Sequence, residues 1–169
     1  MLASLLIVAA ANAASACAVP PAEAQRQATL AYAAFDSQPA PYGWRHLNAG
    51  GCTDAAVSLL TSYAAAQAGR LSPHQTLEVS FHIGQVLAMA GRDHESIAHF
   101  ERALGAAATS EWTAYVEATL AFLRRDAAAL KAAREAYVAV APKSMRLQFI
   151  DGFVACPRET YVKAVHCRP

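Results

Sequence analysis

The chain has 169 residues, 55% hydrophobic and 16% charged, with a formal net charge of +1, and 42 of them are Ala. It is too apolar and too weakly charged for a disordered tail, and without a basic excess it lacks the electrostatic footprint of a nucleic-acid binder. It is too short for a barrel enzyme or a two-domain dehydrogenase, and long enough for one domain with a core of its own.

Residues 1–16, MLASLLIVAAANAASA, read as a signal peptide. The apolar run Leu2–Ala11 is about 10 residues, the length of a signal-peptide core and well short of the roughly 20 that span a bilayer. Small-x-small cleavage patterns follow at Ala11-Asn12-Ala13 and Ala14-Ser15-Ala16. The usual basic residue in front is missing, so the amino terminus alone supplies positive charge. The expected product is a periplasmic or secreted single domain, 17–169, with no spanning segment in the mature protein. Cys17 directly after Ala14-Ser15-Ala16 resembles a bacterial lipobox, although Ala14 stands where that pattern has Leu. A lipid anchor at Cys17, making an outer-membrane lipoprotein, is the minor alternative.

The four cysteines, Cys17, Cys52, Cys156 and Cys167, allow three pairings, and an even count in an exported chain points to disulfides. Sequence proximity favours Cys156–Cys167, which would pin the C-terminal tail, and Cys17–Cys52, which would tie the N-terminus to the loop before the second helix. Closing a loop as short as the former stabilises by roughly 2–3 kcal/mol. No C-x-x-C spacing suggests zinc.

From Pro20 onward the chain reads as helices divided by capping signals. Pro20-Pro21 opens the first, with Leu30, Ala31, Ala34 and Phe35 at helical spacing. Asp36–Gly51, broken by Pro39, Pro41, Gly43, Gly50 and Gly51, reads as the longest loop; its Trp44 is expected to anchor it. Thr53 or Asp54 caps the next helix, whose face is Val57, Leu60, Tyr63 and Ala64, and Gly69 ends it. Ser72-Pro73-His74-Gln75 is a capping box with Pro where no N–H is needed, opening a helix to Gly91. Asp93 caps a helix to Gly105; Thr109 or Ser110 starts another, ending near Arg124-Arg125. Asp126 caps a further helix, stopped by Pro142. Ser144 caps a seventh, to about Cys156, and Arg158–His166 is a short eighth. The fold class is therefore all-α, with about 7–8 helices.

Ser72–Gly105 and Thr109–Pro142 each span 34 residues, and Gly91-Arg92-Asp93 aligns with Arg124-Arg125-Asp126 at an offset of 33. A helix–turn–helix recurring at this period marks units that bury their faces on one another. The clearest stretch, within 72–105, has Ile83-Gly84, Leu87, Gly91, Ser96, Phe100 and Ala103; in the next unit, 109–142, Val116-Glu117, Ala129, Ala133 and Ala136 stand at the matching places. On these residues the chain resembles the tetratricopeptide repeat family. The resemblance implies stacked antiparallel helical hairpins, an α-solenoid, with helices 144–166 capping the end. It also implies a concave groove lined by the first helix of each pair, which takes a protein or peptide partner and performs no catalysis. The groove candidates are Glu78, Gln85, Met89, Glu111 and Tyr115.

Catalytic and metal constellations are weak. There is no G-x-S-x-G, no glycine-rich phosphate loop and no H-E-x-x-H. His94 and His99 are five apart, off the shared helix face that two ligands need, and Glu95 and Glu101 are six apart. No catalytic residue, metal ligand or cofactor is nominated. The alternatives to an interaction module are a small envelope enzyme acting on cell-wall or peptide substrate and a lipid-anchored accessory protein of an envelope complex.

Overall fold

The computed structural model describes residues 17–37 and 41–168; the segment read as a signal peptide lies outside the described residues. Every regular element among them is a helix: ten in all, divided between two compact units that meet in sequence at Arg70 and Leu71.

The first unit holds α1 (Pro21–Ala28), α2 (Tyr32–Asp36), α3 (Trp44–Ala49) and α4 (Thr53–Ala66). The first predicted helix is broken in two, because side chains near the end of α4 and just beyond it take the carbonyls that a continuous helix would use. Gln67 Nε2 donates to the Ala28 carbonyl at 2.6 Å and Tyr63 hydroxyl to that of Leu30 at 3.0 Å. Phe35 then stacks on Tyr63, ring centroids 3.6 Å apart. The expected loop contains α3, whose Trp44 and Leu47 are buried, so Trp44 is an anchor. Arg45 closes the segment by donating to both Asp36 carboxylate oxygens at 2.8 Å while its guanidinium lies 4.1 Å over the Trp44 ring. Cys17 is bonded to Cys52. That bond uses the sulfur that a lipid thioether would need.

The second unit holds α5 (Pro73–Met89), α6 (Asp93–Arg102), α7 (Ser110–Leu123), α8 (Ala127–Val140), α9 (Leu147–Ala155) and α10 (Tyr161–His166). α5 and α6 form one hairpin, α7 and α8 a second that stacks on α6, and α9 and α10 close the row against α7, α8 and α5. The start of α5 is the expected capping box: Ser72 Oγ accepts from Gln75 N, and Gln75 Oε1 accepts from Ser72 N. Thr109 and Asp126 cap α7 and α8 through the N–H groups of Trp112 and Ala129. Asp93, Ser144 and Thr53 or Asp54 do not cap: the residues at those N-cap positions are Arg92, Arg146 and Cys52, without side-chain cap bonds.

The hairpin turns carry the repeat. Gly91 and Arg125 both take positive φ, 74° and 58°. The residue after each reaches back five positions, Arg92 N to Leu87 O and Asp126 N to Ala121 O, both 2.9 Å. These are Schellman turns. They place the two hairpin turns 34 residues apart, one more than the sequence alignment, because Arg125 and not Arg124 stands in the place of Gly91. Gly51, with φ 76° and Cys52 N bonded to Leu47 O, makes the same turn between α3 and α4. The Arg125 guanidinium donates to the Pro157 and Glu159 carbonyls at 2.8 and 2.9 Å and holds the α9–α10 loop.

α7 is the centre of this unit. Ten of its fourteen residues are buried, as expected of a helix apolar on nearly every side. Its buried polar atoms are satisfied, Thr119 Oγ1 on the Tyr115 carbonyl and Trp112 Nε1 on that of Ala103. With its own Phe122, the surrounding Phe81, Phe100, Tyr137, Phe153 and Tyr161 form one continuous core. Cys156 and Cys167 are disulfide-bonded and fasten the end of α9 to the tail beyond α10.

Candidate functional site

The five groove candidates lie on α5 and α7, and the structure gives them unequal standing. Glu78 is half-buried, its carboxylate 3.8 Å from His74 Nε2. Gln85 is half-buried, its side-chain oxygen 3.3 Å from His82 Nδ1. Met89 is exposed at the C-terminal end of α5. Tyr115 is a core residue at 4% exposure, wedged between Phe81 and Tyr137, so no surface partner reaches its ring in this conformation. Its burial pushes the phenol pKa up to about 12.

Glu111, one turn before Tyr115, organises a polar clasp at the start of α7. Its Oε1 accepts from the Tyr137 hydroxyl at 2.7 Å and from the Ser144 hydroxyl at 3.0 Å. These hydrogen bonds, Tyr137 first and then Ser144, hold its carboxyl below the usual range; Arg146 adds to them from 3.6 Å. Arg146 also spreads over the Trp112 and Tyr115 rings, 5.7 Å from each centroid. His74 meets the Trp112 ring edge-on at 5.2 Å. Glu78, His74, Trp112, Glu111, Tyr115 and Arg146 therefore form one linked set, while Gln85 and Met89 lie farther along α5. Arg146 carries no pattern in the sequence, and Ser144 reads there as a helix cap; only packing brings both to Glu111.

An open concavity lies elsewhere, beside α8. A groove of about 540 Å³ is lined by Leu104, Leu120, Ala129, Ala132, Ala133 and Ala136. Glu117, Arg124 and Asp126 stand among its walls, and Arg124 is ion-paired with Glu101 of α6. The repeat pattern puts Ala129, Ala133 and Ala136 at helix-packing positions, but only Ala133 is buried, and Ala129 and Ala136 are exposed. The reason is the helix period: Leu130, Ala133 and Tyr137 take the inward face of α8, which turns residues 129, 132 and 136 outward. A second concavity of about 400 Å³, walled by Lys131, Arg134, Glu135, Asp151, Val154 and Ala155, flanks the other side of α8. α8 is thus a ridge of small side chains between two troughs. The sequence signal for it was present in the run of alanines, which reads equally as internal packing.

Both disulfides favoured by sequence proximity are formed, as is consistent with an oxidising compartment. Among the described residues no helix is long and apolar enough to cross a membrane. Comparison of the chain with protein-family models, with curated proteins and with solved structures finds no match.

Proposed function

We propose that the protein is an exported helical-repeat interaction module of tetratricopeptide-like architecture, which binds a protein or peptide partner and is not an enzyme. The observation that carries this reading is the α8 groove. Its volume falls within the roughly 300–1,000 Å³ of ligand sites. Its exposed alanines present almost no side-chain bulk, so a second helix can approach at the short end of the ~8–10 Å packing range. The occupant that fits is an amphipathic helix of a partner, set into the trough by its apolar face. The walls supply both charge signs, Glu117 and Asp126 against Arg124, for polar contacts at the rim. Export is supported by the two disulfides and by the character of residues 1–16.

The test is a photo-crosslinking residue at Ala132, in the trough, with the same residue at exposed His94 of α6 as control, both exposed to the native envelope fraction. A discrete adduct from position 132 that is missing from position 94 is expected, and Ala132→Trp in the uncrosslinked chain is expected to compete for that partner at least about tenfold more weakly. Equal labelling from both positions, or none from 132, contradicts the reading.

A further inference from the structure

The tight turns of the two hairpins, at Gly91 and Arg125, lie at one end of the second unit, and the connections that follow α6 and α8 lie at the other. The α8–α9 connection carries the two most exposed large apolar side chains among the described residues, Met145 at 82% and Val140 at 49%. Lys143 stands exposed between them, and residues 136–150 contain no Asp or Glu. An apolar tip beside a cation is the chemistry of insertion into a lipid interface. We propose that this loop docks on an anionic lipid surface, with Met145 entering the boundary of the acyl chains and Lys143 lying among the headgroup phosphates.

Three features carry the assignment. The first is that the tip is built, not frayed. Ser144 is drawn inward by the Tyr137 hydroxyl at 2.7 Å and the Glu111 carboxylate at 3.0 Å. Its own N–H donates to the Ala141 carbonyl, and its carbonyl accepts from Leu147 N, both at 3.1 Å. With Ser144 held on both sides, its neighbours Lys143 and Met145 are left facing out, so docking costs little ordering of the loop. The second is charge. Glu111, the acid that touches this loop, is offset by Arg146 at 3.6 Å. That leaves Lys143, with exposed Arg102 where α6 ends, as the charge at this end of the unit. A Lys or Arg at an anionic surface raises the partition about fivefold. The third is shape. A methionine this exposed protrudes, and a bilayer closes around a protrusion, whereas a protein would need a matching pocket. Met is unbranched and adapts to disordered chains. Ala106 and Ala107 in the α6–α7 connection are exposed as well and add no charge. One tip of this size gives weak, reversible attachment. It is separate from the residues that line the α8 groove, so either reading stands without the other.

The experiment places an indole at the tip, Met145→Trp in the full-length oxidised chain, and adds vesicles of phosphatidylglycerol mixed with phosphatidylcholine brominated on its acyl chains. Bromine quenches only an indole that enters the acyl region. The two native tryptophans, Trp44 and Trp112, are buried at 3% exposure and supply the background, measured in the unmodified chain. Val154→Trp, at an exposed valine near the opposite end of α9, is the control for attachment through another surface. Saturable quenching is expected for Met145→Trp and none above background for Val154→Trp. Adding Lys143→Glu is expected to weaken the partition at least about fivefold, and raising the salt is expected to weaken it too. No quenching at position 145, equal quenching at 154, equal quenching on vesicles of the brominated phosphatidylcholine alone, or no effect of Lys143→Glu overturns the proposal. A loop that meets a protein instead gives the first of these results. Both replaced side chains at the tip are exposed, so the substitutions leave the core packing intact.

Discussion

Replacing Gly152 by Ala is expected to lower the melting temperature of the second unit by roughly 10 °C or more, opposite to the usual gain for Gly→Ala within a helix. On propensity alone the change in α9 should stabilise by about 1 kcal/mol. The new methyl group, however, would run into the carbonyl oxygen of Ala164, with the Cys167 carbonyl oxygen at 3.1 Å from it. Both obstacles are backbone, not flexible side-chain ends. Nor can the tail move aside, because Cys167 is bonded to Cys156 four residues after Gly152. α10 must therefore lift from α9, exposing Tyr161, Ala164 and Val165, all buried in the native chain. Overpacking of this kind costs ~3 kcal/mol, and each kcal/mol is worth about 4–8 °C in a unit of this size. Differential scanning calorimetry of the oxidised chain measures it; an unchanged or higher melting temperature contradicts the packing described for α9 and α10.

Phe100→Ala is the second large effect, a loss of about 3–5 kcal/mol. The ring is fully buried and lies flat against Gly84: a Cβ at that glycine would sit 3.1 Å from ring carbons. It also meets Phe81 edge-on at 5.0 Å and Tyr161 at 6.5 Å, so one side chain of α6 joins α5 to the closing helix α10. Its removal leaves a void that Gly84, without a side chain, cannot fill. Urea titration should show the midpoint falling with the slope preserved. A loss below about 1 kcal/mol would mean that the hairpin is not held together through this contact.

What was legible in the sequence is what local chemistry decides. The capping box at Ser72 and Gln75, the Thr109 and Asp126 caps, the glycine turns at Gly69 and Gly91 and the two disulfides each depend on neighbours a few residues away or on simple proximity, and all are present. What was not legible depends on distant partners. The break between α1 and α2 arises because Tyr63 and Gln67, more than thirty residues later, take the freed carbonyls. The helix α3 hides behind Pro41 and Gly43 and is held by Trp44 and Leu47 in the core. The repeat register is off by one because Arg125 adopts a left-handed conformation that the eye reserves for glycine, offset by its bonds to Pro157 and Glu159. Among the candidate surface residues, Tyr115 shares its helical spacing with core positions and proved to be one of them. The α8 trough is not legible, since alanine reads alike on an inner and an outer face, and neither is the approach of Arg146 to Glu111, since Arg146 has no local pattern.

The stacking of the two hairpins around α7, ten of whose fourteen residues are buried, is the feature on which the α8 groove rests. Amide hydrogen exchange of the oxidised full-length chain tests it most directly. The slowest amides should fall in Ala114–Leu123, where α6, α8 and α9 all cover the helix, and exchange there should require opening of the whole unit. Exchange through α7 as fast as through α1 or the exposed half of α6 would contradict it.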